Sequence, residues 1–428
     1  MSNGIAPWLE KSQWPTVPIR LLARLGTGHT PSRSNPEYWH DCTIPWITLA
    51  DVWQLRSGTT TVISDTKEKI SRLGLANSAA VLHPAGTVIL SRTASVGFSA
   101  IMGSDMATSQ DFATWTCGTQ LEPRYLLHAL RGMAPDLKRV ATGSTHKTIY
   151  MPDIEQLRVP LPPQREQQRI ANFLDAQMDY LDRLATLDSE VLSRLDERKQ
   201  ALRDSAIDQL SKRHGNLPLR RLMRCIEQGT SPRCEATPRQ GPEEWGVLKL
   251  SSVKNGSFNP NENKRLPTSV PPPRMWQVNE GDLLVTRANT PRLVGDVAVA
   301  TGDCTRLLLP DLIYRIKLRT DIDPHFVAQV SLGSQIRQRI EATARGSSQS
   351  MVKLRGEDIR SWPVPNAPLR QQQEFTQSLL RWTEPAETLR AALNQRSQLL
   401  TERRQALITA AVTGQFDVST ASGRGVAP

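Results

Sequence analysis

The chain carries its own sequence twice, and this limits what it can fold into more than any other feature. Gly143-Ser144, Asp153-Ile154 and Pro162-Pro163-Gln164-Arg165-Glu166-Gln167-Gln168 return as Gly346-Ser347, Asp358-Ile359 and Ala367-Pro368-Leu369-Arg370-Gln371-Gln372-Gln373. Glu197-Arg198-Lys199-Gln200-Ala201-Leu202 returns as Glu402-Arg403-Arg404-Gln405-Ala406-Leu407. Both 358 − 153 and 402 − 197 give 205. Nearer the N-terminus, Pro18-Ile19-Arg20 matches Pro218-Leu219-Arg220, and Gly86 to Arg92 matches Gly281 to Arg287, an offset of 195. Asp111-Phe112-Ala113-Thr114-Trp115 aligns with Asp311-Leu312-Ile313-Tyr314-Arg315. Insertions have therefore collected in the front of each copy, while the back keeps a rigid register. Two copies are too few for a solenoid. They suggest a pseudo-twofold object that treats two similar surfaces alike.

The back of each copy reads as a long helix. Ile170, Gln177, Leu184 and Val191 recur every seven residues, beside Leu174, Leu181, Asp188, Leu195 and Leu202. The second copy repeats the columns with Phe375, Trp382, Leu389 and Arg396, and with Leu379, Ala386, Leu393, Leu400 and Leu407. An apolar a/d pattern of this length predicts pairing of the two helices, with Asp188 and Arg396 as polar intruders that fix register. Pro162-Pro163 and Pro368 mark the helix starts, where proline is tolerated. Pro385 is expected to kink the second helix.

The front of each copy is mixed. Thr87–Ser91 and 282–286 read as short strands opened by glycine, and 111–116 and 311–318 as further strands. The Gly143 and Gly346 segments read as flexible polar loops. The fold class is therefore α+β: an internal duplication of an α/β domain followed by a long helix, the two helices pairing as a coiled coil. The expected boundaries are 1–161 for the first domain, 162–212 for the first helical spacer, 213–366 for the second domain, and 367–428 for the second spacer and tail.

Composition narrows the class. Hydrophobic residues make up 38% of the 428, enough for two or more cores. No run of about 18 apolar residues suits a membrane span. The first residues lack a signal-peptide pattern. Five cysteines without a CxxC argue against a disulfide framework, so the expected location is cytoplasmic. The net charge of +11 favours a polyanionic partner.

Catalytic motifs are missing. There is no P-loop, and Gly26-Thr27-Gly28 lacks the third glycine of a dinucleotide site. Leu161-Pro162-Pro163-Gln164 lacks the Asn or Asp and the aromatic of an adenine methyltransferase. Pro152-Asp153 with Glu197-Arg198-Lys199 mimics a nuclease pattern, but Glu197 lies deep in a heptad helix and the second copy has Arg404 for Lys199. His40 and Cys42 have no further ligands at zinc spacing. A duplicated chain without a duplicated catalytic constellation reads as a binding scaffold.

Pro160 to Ile170, then Phe173-Leu174 and the heptads, resembles the start of the conserved helical region in specificity subunits of type I restriction–modification systems. Gly143-Ser144 … Asp153-Ile154, Glu197 to Leu202 and Ala411-Val412-Thr413-Gly414 are similar to that family as well, and the order of parts matches twice. The second copy departs where Asn366-Ala367-Pro368-Leu369 replaces the double proline and Gln371 the glutamate. The resemblance implies a non-catalytic DNA-binding subunit of phage-defence systems. Each of its two target-recognition domains would read one half of a split, asymmetric duplex sequence. Two methyltransferase subunits would dock on the helices, with restriction subunits in the full complex. S-adenosylmethionine, ATP and Mg²⁺ would belong to those partners, and this chain would bind no cofactor and no metal. Loop residues able to reach DNA are Arg92, His146 and Lys147 in the first copy, and Arg287, Asn289, Arg292, Gln349 and Lys353 in the second. Two rivals remain: a DNA-binding regulator that works alone, and a coiled-coil scaffold whose domains bind protein.

Overall fold

The computed structural model describes residues 7–56, 58–143, 147–348 and 351–419. The chain divides into two compact units, residues 1–190 with 392–428, and residues 191–391.

The first unit is built on a five-stranded sheet. Its order is Ala23–Thr27, Phe112–Cys117, Val88–Ser91, Ser99–Met102 and Val62–Ile63. All four residues of Val88–Ser91 are buried, as a central strand requires. A smaller sheet joins Glu68–Ile70, Ile44–Ile47 and Ala107–Thr108. Helix Pro123–Gly132 opens on a proline at its first turn and buries Tyr125, Leu126, Leu127 and Leu130. Thr16–Pro18 pairs antiparallel with Arg158–Pro160, returning the chain to the start of the long helix.

The second unit has a four-stranded sheet ordered Met223–Gln228, Ile313–Leu318, Leu283–Thr286 and Val297–Val299. A three-stranded sheet joins Asn263–Arg265, Gly246–Leu248 and Leu307–Leu308. Asn216–Pro218 pairs antiparallel with Pro363–Pro365. Helices Pro324–Ser331 and Ser334–Thr343 cover the core.

Strand register corrects one alignment made from sequence. Ser91 pairs with Phe112 and Thr286 with Ile313, so Phe112 is level with Ile313 rather than Leu312. Trp115 then corresponds to Ile316, both buried and apolar, and Thr114 to Arg315. A slip of one residue would have turned every side chain to the other face. One glycine near the start of each unit has a packing reason. A Cβ on Gly28 would lie 1.8 Å from the Thr108 carbonyl oxygen, and one on Gly229 1.8 Å from that of Leu309. Only glycine permits so close an approach of two backbones.

The long helices span Gln164–His214 and Leu369–Val412, 51 and 44 residues. Pro385 lies inside the second helix, which continues through it. In the first unit, Ile170, Leu174, Met178 and Leu181 enter the core with Leu407, Ile408, Ala411 and Val412. Each such side chain contributes about 1.5–3 kcal/mol when fully buried. The polar intruders of the heptads meet each other: Arg396 Nε donates to Asp188 Oδ2 at 2.8 Å, and Arg404 pairs with Asp182. In the second unit Lys199 reaches Glu387 at 3.1 Å, and Arg390 pairs with Asp196. Within each unit the partners advance in opposite directions, so the helix segments run antiparallel. Asp188 is buried while Arg396 is exposed, so the pair adds little net stability, but a register that left the buried carboxylate unpaired would be penalised.

Candidate nucleic-acid interface

A buried strand ends at an arginine in each unit, and a hairpin folds back onto that arginine. In the first unit, Arg92 N–H donates to the Asp111 carbonyl at 2.8 Å, and Ile149 N–H donates to the Arg92 carbonyl at 2.8 Å. Ala94 N–H donates to the Lys147 carbonyl at 2.8 Å, and Thr93 and Thr142 both bridge to Thr148. Ala94 sits at φ 57°, a left-handed conformation that strains a residue with a Cβ. Such strain persists only where surrounding structure enforces it, and it clusters at functional sites. Lys147 is exposed on this edge.

In the second unit, Arg287 N–H donates to the Leu312 carbonyl and Leu354 N–H to the Arg287 carbonyl, each at 2.8 Å. Ala288–Asn289 pairs with Met351–Lys353, which pairs in turn with Arg345–Ser348. The Gly346 segment is thus a strand of a three-stranded ribbon, not a flexible loop. It forms because a neighbouring strand offers its backbone donors and acceptors, which loop composition cannot reveal.

The predicted DNA residues separate into three groups. Arg92 and Arg287 are half-buried and occupied locally. Arg92 Nη1 donates to the Ile149 carbonyl at 3.4 Å. Arg287 Nε donates to the Tyr314 hydroxyl at 3.1 Å, with its guanidinium 5.9 Å from the ring centroid. Lys147, Arg292 and Lys353 are exposed, and Asn289 is half-buried with its Oδ1 accepting from Thr290 N–H at 2.8 Å. His146 and Gln349 lie outside the described residues. The structure places Arg92 beside Lys147, and Asn289 beside Lys353, on one edge in each unit.

Two features escaped sequence reasoning. The first is a pair of buried glutamines, Gln167 and Gln372, one turn into each long helix. Gln167 Nε2 donates to the Gln120 and Pro162 carbonyls, both at 3.0 Å, while its Oε1 accepts from Glu122 N–H at 2.9 Å. Gln372 Nε2 donates to the Asp321 and Ala367 carbonyls at 3.3 and 2.8 Å, and its Oε1 accepts from Asp323 N–H at 2.8 Å. Each locks the helix to the turn before a domain helix. The repeated Gln in the two helix-start runs was the available signal. The second is a concavity of about 440 Å³ lined by Thr30, Arg33, Trp46, Glu68 and Gln110 in the first unit. Arg33 there sits 5.1 Å from the Trp39 ring centroid and 3.2 Å from Glu68.

Among the described residues, no group of three or more His, Cys, Asp or Glu side chains could hold a metal ion. Among them too, no helix is long and apolar enough to cross a membrane.

Residues 11–192 match the family described as Type I restriction modification DNA specificity domain. The chain is 28% identical over 188 residues to the EcoEI specificity subunit of Escherichia coli, covering 44% of this chain and 32% of that one. It is 29% identical over 171 residues to the MjaIX specificity subunit of Methanocaldococcus jannaschii, covering 40% and 39%. Residues 11–192 of this chain are thus similar to type I specificity subunits. The aligned stretches span about a third of the length of these two relatives. A third specificity subunit, EcoKI of Escherichia coli K12, is 22% identical over 293 residues, 65% of this chain and 62% of that one. The fold is shared more widely. A chain solved in work on complex assembly and conformational transition of the type I R-M system superposes with a TM-score of 0.65 at 16% identity, over 97% of this chain and 99% of that one.

Proposed function

We propose that this chain is a specificity subunit that recognises a split, asymmetric DNA sequence for a type I restriction–modification complex, one half-site per unit. The observation that carries this reading is the repeated edge: in each unit a hairpin folded onto the arginine after a buried strand presents an exposed lysine, Lys147 or Lys353. The 205-residue offset of the helix motifs supports descent by internal duplication, and with it two readers of one design. Their loops differ in sequence, so the half-sites differ too. The lysines grip phosphate, and Asn289 and Arg292 are placed to contact base edges. A net charge of +11 supports the affinity for duplex DNA.

The long helices pair as an antiparallel coiled coil and dock two methyltransferase subunits. Exposed apolar side chains along them support this, among them Tyr180, Leu187 and Leu399 in the first unit and Val191, Leu202 and Leu389 in the second. Adenine methylation and ATP-driven cleavage belong to partner chains, which hold S-adenosylmethionine, ATP and Mg²⁺, while this chain supplies the address in the cytoplasm. In domain terms, residues 1–161 and 213–366 are the two readers, with 162–212 and 367–428 as spacers.

Exchange of residues 1–160 for the equivalent segment of a relative tests the reading. With the methyltransferase co-expressed, methylome sequencing should show one half of the methylated sequence changed and the other kept. A change in both halves would overturn separable recognition.

A further inference from the structure

The second unit contains a cleft of about 1050 Å³ that shares only Arg292 with the DNA reading. Its walls carry Lys199, Arg203, Lys254, Arg292, Arg337 and Arg390. Two of these cations are neutralised inside the cleft: Lys199 by Glu387, and Arg390 by Asp196 and Glu387. Arg337 reaches Glu341 at 3.7 Å. Arg203, Lys254 and Arg292 form no ion pair among the described residues.

Arg203 is the telling group. It is 6% exposed, yet every hydrogen bond it makes goes to an uncharged acceptor. Nε donates to Gln329 Oε1 at 3.3 Å, and Nη1 donates to Gln200 Oε1 at 2.8 Å and to the Leu332 carbonyl at 3.5 Å. The neighbouring carboxylate, Asp204, is committed elsewhere, accepting from Ser334 N–H at 2.9 Å and from its hydroxyl at 2.6 Å. A buried guanidinium without a counter-anion is costly. Burial accordingly pushes the Arg203 pKa down, against the pull of Asp204. An anion entering the cleft would relieve that cost.

The lining also says what kind of anion fits. Leu379 and Leu380 face the cleft beside these cations, and Leu380 is 57% exposed. Asp196, Asp296 and Glu387 are part of the lining as well. A duplex would offer phosphates to the cations and leave the leucines unused. A peptide carrying both carboxylates and apolar side chains satisfies both kinds of wall. We infer that this cleft binds an acidic, leucine-containing peptide segment of a partner protein. Arg203 and the exposed Lys254 take its carboxylates, and Leu380 takes its apolar side chains.

The inference goes beyond the DNA reading and is tested apart from it. The probe is a short fluorescent peptide of alternating Glu and Leu, titrated by anisotropy against the full chain. Its controls are the alternating Gln and Leu peptide and an unlabelled duplex as competitor. Two variants are compared with the parent: Lys254→Glu, which changes one exposed side chain outside the DNA reading, and Arg203→Ile. We expect saturable binding of the Glu peptide, weakened about tenfold or more in both variants, about 1.4 kcal/mol. The Gln peptide should bind weakly, and the duplex should not displace the probe. Absence of saturable binding, unchanged affinity in the variants, or displacement by the duplex would each overturn the inference. Methylation by the assembled complex reports on the DNA reading independently, so the failure of either is distinguishable.

Discussion

The same seam, where a long helix lies against a domain helix, is solved in opposite ways in the two units. In the first unit Ile408 is buried and packs 3.3 Å from where a Cβ on Gly132 would stand. The neighbouring Gln405 donates to the Gly132 carbonyl at 2.8 Å. Further along, His128 Nε2 meets Asp175 at 2.8 Å, and Arg124 reaches the same carboxylate at 3.1 Å. At the 205-residue offset Ile408 becomes Arg203, and Asp175 becomes the exposed Leu380. In the domain helix, Gln329 stands where the first unit has His128. Yet Gln200, the counterpart of Gln405, still donates to a helix-end carbonyl, that of Leu332, at 3.2 Å. The scaffold contact is kept and the side chains around it have diverged. One seam is closed by apolar packing and a polar triad anchored on the buried His128. The other is open and charged, which is where a second activity can be added without disturbing the fold.

Exchanging the two seam residues is the most forceful way to break this contrast. Ile408→Arg should place a guanidinium in a dry apolar core and cost about 3–5 kcal/mol. Arg203→Ile removes a buried charge that lacks a carboxylate partner, and should be neutral or stabilising by about 1 kcal/mol. Denaturant unfolding of the two variants checks the asymmetry. Equal losses would mean that Arg203 is as well compensated as Ile408 is well packed.

How much of this was legible in the sequence depended on whether the signal was periodic. The helices were readable because heptads repeat, down to the polar intruders Asp188 and Arg396, which pair with each other. The buried strands Val88–Ser91 and Leu283–Thr286 announced themselves as short apolar runs after glycine. The hairpin at Arg345–Ser348 did not, because its partner strand, Met351–Lys353, is only three residues long. Gln167 and Gln372 were hidden for a related reason. A glutamine in a polar helix start looks solvated until the turn it fastens is in place. The cleft was invisible because its walls come from segments more than a hundred residues apart. Arg92 and Arg287 show a further limit: sequence singled them out as loop arginines, but did not show the inward bonds that occupy their guanidiniums.

Acid should expose a smaller difference between the units. Burial holds the His128 pKa below its ordinary value, although the Asp175 bond pulls the other way. Burial pushes Asp175 up, but bonds from His128 and Arg124 outweigh it and hold the carboxyl low. Folded His128 therefore takes up its proton at lower pH than the unfolded chain, whose imidazole titrates near about 6.5. The unfolded state binds more protons in that window, so stability is full above about pH 6.5 and falls as the pH drops through it toward the lowered folded value. Asp175 acts in the same direction lower down: its contribution is present above about pH 3.9 and lost as the pH falls through its depressed value. Hydrogen exchange followed by peptide mass should show helix Pro123–Gly132 losing protection on acidification before helix Pro324–Ser331. His128→Gln, which installs the second unit's residue, should flatten the response of the first helix above about pH 5. A response unchanged by that substitution would assign the acid sensitivity to other groups.

The smallest expected effect concerns the edge the units share. If Lys147 and Lys353 do the same work on two half-sites, Lys147→Ala and Lys353→Ala should behave alike. A flexible ammonium suits a phosphate better than the bidentate reading of a base. Each substitution should therefore weaken binding of the assembled methyltransferase to all duplexes by a similar factor, and lower the salt slope by about one. A base contact would instead cost about 1–3 kcal/mol at one cognate position and relax specificity there. Affinities on cognate and single-mismatch duplexes, taken over a range of salt, separate the two. A uniform loss for one lysine and a position-specific loss for the other would show that the edges, like the seams, have diverged beneath a common backbone. No change in affinity or slope for either would remove both lysines from the interface.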